Sequence, residues 1–151
     1  MDIKSIKVDS AVIETGEWVD KIPEMGDLRL KVRGEGNEDF KRFLNKALRN
    51  VPKGARHRDG TVPPALMEKI VGEALLETVL IDWANLKSGD EEVPYSKDLA
   101  RTFLTDKDYR HFRTSVLWAA AFVAGSKEHA DEDDGDADAA DSYPFPASGQ
   151  R

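Results

Sequence analysis

Cysteine is absent from the 151 residues, which excludes disulfides, thiolate metal sites and cysteine nucleophiles. Histidine is scarce, with residues only at 57, 111 and 129, and none has the short paired spacing that a zinc site needs. No apolar run approaches the roughly 20 residues that span a bilayer. The opening Met-Asp-Ile-Lys-Ser-Ile-Lys-Val has no apolar signal core. The expectation is a soluble intracellular protein that does not engage membranes. No serine stands in a nucleophile elbow, and Gly54 is not followed by the Gly-Lys-Ser/Thr of a phosphate loop. Gly34-Glu35-Gly36 lacks the third glycine of a dinucleotide site. A calcium loop starting at Asp131 fails its register, because Asp136 and Ser142 stand where a glycine and a carboxylate are required. His111 reads as a helix-surface residue, and Asp82 as solvent-facing beside a core Trp83. These absences point to a non-enzymatic protein with no catalytic residue, cofactor or metal.

Charge is plentiful but uneven. Lys and Arg number 22 against 29 Asp and Glu, a formal net of −7. The stretch 127–151 holds eight acids and two bases, so it carries −6 and leaves −1 for residues 1–126. That stretch is also rich in Ala, Gly, Ser and Pro, and too poor in large apolar residues to offset the entropy of ordering. It reads as a disordered acidic tail following a single domain, 1–126. Tyr143-Pro144-Phe145-Pro146 within it has the form of a short linear motif. The opposite sign gathers between 41 and 58, where Lys41, Arg42, Lys46, Arg49, Lys53, Arg56 and Arg58 are interrupted by no acid. Such a cluster suits an acidic partner, nucleic acid or the chain's own tail. Base stacking has little support, since no aromatic follows Phe43 in the cluster. The net negative charge further argues against nucleic acid.

The periodicities predict an α+β fold. Residues 3–33 read as small antiparallel strands, with Ala11–Val19 rich in β-branched and aromatic residues. Leu28, Leu30 and Val32 alternate with Arg29, Lys31 and Arg33, the period of a half-buried strand. About four helices follow over 37–125. Asn37 should cap the first, running to about Asn50. Thr61 should cap the second, with Pro63 and Pro64 in its first turn and an apolar stripe carrying it to about Leu86. Gly72 within it suggests close packing. Residues 88–95 read as a loop. Ser96 and Thr105 should cap the last two helices, and Gly125-Ser126 should end the body.

The order of these elements resembles the tail assembly chaperones of long-tailed, non-contractile bacteriophages and their prophages. Gly16-Glu17-Trp18-Val19 leads by a short turn to Leu28–Arg33. After the central helix come Val79-Leu80-Ile81-Asp82-Trp83-Ala84-Asn85-Leu86, Gly89, Val93-Pro94-Tyr95-Ser96 and two closing helices through Phe112 and Trp118. The similarity covers roughly residues 12–124. It implies a non-enzymatic protein of the host cytoplasm, absent from the mature virion. Its implied partners are the tape-measure protein, which it keeps soluble, and tail-tube subunits; homo-oligomerisation is left open. The expected contact is the basic segment, with Lys46, Arg49, Lys53, Arg56 and Arg58, or the aromatic loop at Tyr95. The alternatives are a structural minor tail or connector protein, and an acidic-tailed adaptor for a basic partner.

Overall fold

A computed structural model describes residues 1–126. The expectation of a disordered tail lies outside these residues. Among the described residues the fold is α+β, as the periodicities require: a three-stranded antiparallel sheet and a small hairpin accompany five α-helices.

The N-terminal region is helical before it is extended. A 3-10 turn at Ile3–Ile6 precedes α1, Ser10–Thr15, where the strand reading placed an extended chain. Asp9 explains the difference, because its carboxylate accepts from Val12 N at 3.3 Å and caps a turn that β-branched composition alone disfavours. Strand β1, Glu17–Val19, pairs with β2, Arg29–Val32. Leu28, Leu30 and Val32 are buried, as their alternation predicts.

Helix α2, Glu38–Arg49, begins at Asn37, whose Oδ1 accepts from Phe40 N at 2.8 Å. Asn37 is fully buried, and its Nδ2 also donates to Gly34 O and Thr78 O, each at 3.0 Å. Helix α3, Pro64–Thr78, starts without a side-chain cap. Thr61 instead bonds the Asp59 carboxylate through both its N–H and its hydroxyl. Buried residues run along α3 from Ile70 to Thr78, making it the spine between α2 and α4.

The expected continuation of α3 to Leu86 is corrected by the fold. The helix ends at Thr78, and β3, Leu80–Ala84, returns antiparallel along β2. Strand β2 is thus central, in the order β1-β2-β3. A bulge explains the helix-like spacing. Lys31 pairs with Asp82 and Val32 with Leu80, so Ile81 is passed over. Leu80 and Trp83, which a regular strand would place on opposite faces, are both buried.

The loop expected at 88–95 holds a hairpin of β4, Lys87–Ser88, and β5, Glu91–Glu92, turned at Gly89 with φ +66°. Helix α4, Lys97–Thr105, is capped by Ser96 as expected. Helix α5, Arg110–Ala121, is not capped by Thr105, whose hydroxyl donates back to Arg101 O within α4. Asp106 caps the intervening 3-10 turn. Gly125, at φ +117°, closes the body.

Candidate functional site

The exposed face of α2 changes character along its length. In its first turns Lys41 pairs with Glu38 at 3.7 Å and Arg42 with Asp39 at 2.7 Å. Arg33 joins Asp39 at 2.9 Å and Glu14 at 3.3 Å. The Arg33 hydrogen bond to Asp39 holds that carboxyl below its ordinary range, with Arg42 adding to the effect. The Glu14 carboxylate also accepts from Glu38 N, so it sits at the positive end of the helix. Charge at this end is balanced.

The other end is not. Lys46 and Arg49 lie three residues apart on the exposed face, and Lys53 and Arg58 follow in the connection to α3. All four are exposed, and none forms an ion pair with another described residue. The helix dipole favours cations at a C-terminus, which accounts for tolerating two of them without partners.

Arg56 behaves differently from its neighbours. It is half-buried, and its guanidinium is spent on three backbone carbonyls: Leu48 O, Val51 O at 3.3 Å and Gly60 O at 2.9 Å. It closes the end of α2 and ties the loop to it. Arg56 therefore positions the segment bearing Lys53 and Arg58. The Asp59 carboxyl is held low mainly by hydrogen bonds from Thr61 and stays ionised in the same loop. The basic ledge is Lys46, Arg49, Lys53 and Arg58.

Tyr95 lies elsewhere. It is half-buried, with its ring 4.9 Å from that of Trp83 in an edge-to-face contact. Burial pushes its hydroxyl pKa up. Trp83 also meets Phe103 at 5.7 Å and Phe112 at 5.9 Å, and its Nε1 donates to Val93 O at 2.8 Å. Tyr95 thus extends the core at the sheet's end, and the structure does not bring it together with the ledge residues in one cluster.

Two surface features escaped the sequence reading. A groove of about 390 Å³ lies between the β1–β2 connection and α5, lined by Ile22, Met25, His111 and Trp118 among others. On the outer sheet face, Arg29 stacks over the exposed Trp18 ring at 4.9 Å. Only the alternation of Trp18 with the buried Val19 could have signalled the second. Among the described residues, no group of three or more His, Asp or Glu could hold a metal ion.

A family model described as YdaY prophage protein matches residues 35–136. The chain belongs to that prophage family. The matched span takes in α2, the whole ledge and the acidic residues through Asp136. No curated protein and no solved structure matches this YdaY-family chain.

Proposed function

We propose that this prophage-family protein is a non-enzymatic tail assembly chaperone. It holds the tape-measure protein soluble in the host cytoplasm while tail-tube subunits are recruited, and it leaves before the virion is complete. Family membership supports a phage role, and the order of strands, Trp83 segment and closing helices supports the finer reading. The observation that carries it is the ledge: four exposed cations without acidic partners among the described residues, two on α2 and two in the loop that Arg56 ties to the end of that helix. Exposed ion pairs contribute at most about 1 kcal/mol each and are screened by salt. Such a surface grips a partner reversibly, as a factor that must later depart requires.

The test is capture of the tagged full chain from cells in which the phage is induced, with partners identified by mass spectrometry. Recovery of a very long, helix-rich tail protein is expected, together with absence of the chain from purified particles. Retention in particles would instead make it a structural tail component. Capture of a basic host protein alone would overturn the phage-assembly reading.

A further inference from the structure

We infer that a second copy of this chain covers the groove between the β1–β2 connection and α5, by seating its own segment 1–8 there. This contact is independent of the proposed function and uses a different surface. One half of it is the segment. Among the described residues eight large apolar side chains are exposed, and four of them are Met1, Ile3, Ile6 and Val8. Ile3 and Ile6 are 77% and 65% exposed, and the 3-10 turn stacks residues three apart on one side. Lys4 and Lys7 add two cations to the segment against one acid, Asp2.

The other half is the groove. Ile22, Met25 and Trp118 give it apolar walls, and Glu24 lines it as well. The connection that forms one wall carries Asp20, Glu24 and Asp27 against Lys21. An apolar surface with an acidic border thus complements an apolar segment with a basic one. The wall is also preformed. Lys21 at φ +56° and Glu24 at φ +65° hold a left-handed backbone that residues other than glycine rarely adopt. Met25 N and Leu28 N fix the loop by donating to Ile22 O and Met25 O, each at 3.1 Å. A segment that binds there therefore meets a wall already ordered. The chain's own segment leaves the groove open, because none of residues 1–8 lines it. The root of the segment is held past the C-terminal end of α5, where a Cβ on Gly125 would stand 3.0 Å from Val8 Cγ1. Two copies that seat their segments reciprocally form a closed pair and bury both apolar surfaces.

Sedimentation of the full chain between about 1 μM and 1 mM should show its mass doubling with concentration. Ile3→Ser with Ile6→Ser changes only exposed side chains and should weaken association about ten-fold or more. Lys4→Glu with Lys7→Glu should weaken it too, and adding Asp20→Lys and Glu24→Lys to the same chain should restore it. The absence of cysteine allows the contact to be located. Chains bearing a paramagnetic label at Ser5→Cys are mixed with isotope-labelled chains that lack it. Amide signals of residues 22–25 and 111–118 should be lost selectively and return on dilution. A chain that stays monomeric, association indifferent to the Ile3 and Ile6 substitutions, or signal loss at another face overturns the inference. So does loss at the groove only when label and isotope share one chain, since the segment would then lie on its own body. The measurement uses the chain alone, so its failure leaves the chaperone reading untouched; failure to capture a tail protein likewise leaves this contact untouched.

Discussion

Gly72 lies directly against the backbone of Leu104: a Cβ at 72 would overlap the Leu104 carbonyl oxygen and stand 3.0 Å from its carbon. The crossing of α3 and α4 is set by this contact. Alanine would gain about 1 kcal/mol in helix propensity. The obstacle is main chain, however, so the helices must separate, and overpacking of this kind typically costs about 1–3 kcal/mol. Gly72→Ala should therefore destabilise the fold, with a lower urea midpoint at unchanged slope. An unchanged or raised midpoint would show that α4 yields without loss.

Asn37 joins three pieces of backbone at once. Its oxygen caps α2, and its amide nitrogen serves the carbonyls of Gly34 and Thr78. Asn37→Ala should lose about 2–4 kcal/mol, from the cap and a buried carbonyl left bare. Asn37→Asp keeps the cap acceptor but turns a carboxylate oxygen toward two carbonyls, so it should not rescue. Chemical denaturation of the three proteins checks the order, and recovery by aspartate would reduce Asn37 to a simple cap.

Much of this architecture was legible in the residues. The alternation through Leu28, Leu30 and Val32 located β2, and Asn37 and Ser96 announced their helices. The spacing at Gly72 also carried its meaning. What misled was β3. Leu80 and Trp83 stand three apart, as on one helix face, and only a pairing bulge lets a strand bury both. A bulge is a property of the partner strand, distant in sequence, and leaves no local mark. Thr61 failed as a cap for a related reason: Asp59, two residues earlier, captured its hydroxyl and its N–H. At the candidate site the run of positive charge was visible, but the division of labour within it was not. That Arg56 serves carbonyls while Arg58 stays exposed depends on how the loop folds back on α2.

Two carboxyls give stability opposite responses to pH. Burial raises the Glu35 pKa above its ordinary 4.5. The folded state therefore holds its proton more tightly than the unfolded chain, and stability falls as pH rises from 4.5 through the raised value. Asp39 is lowered, chiefly by its hydrogen bond from Arg33. Its contribution is present above 3.8 and is lost as pH falls through the depressed value. Glu35→Gln should therefore gain on the parent protein with rising pH, whereas Asp39→Asn should be less sensitive to acid. Urea titrations between about pH 3 and 7 separate them; parallel profiles for all three proteins would contradict both assignments.

Arg56 and the four ledge cations should separate in their effects, although they share one stretch of chain. Arg56→Lys keeps the charge but cannot reach Leu48, Val51 and Gly60 together with a single ammonium. It should cost roughly 1–2 kcal/mol and speed amide exchange across residues 50–62. Reversing Lys46, Arg49, Lys53 and Arg58 touches only exposed side chains. Reversal of Lys53 or Arg58 should stay within about 0.5 kcal/mol in stability, and reversal of Lys46 or Arg49 should cost about 1 kcal/mol through the dipole at the end of α2, while partner capture falls and its salt dependence disappears. The comparison separates scaffold from surface. Destabilisation of Lys53 or Arg58 variants, or a loss at Lys46 or Arg49 well beyond the dipole's share, would mean that these cations serve the fold, whereas full capture by a stable variant would move the binding face elsewhere on the molecule.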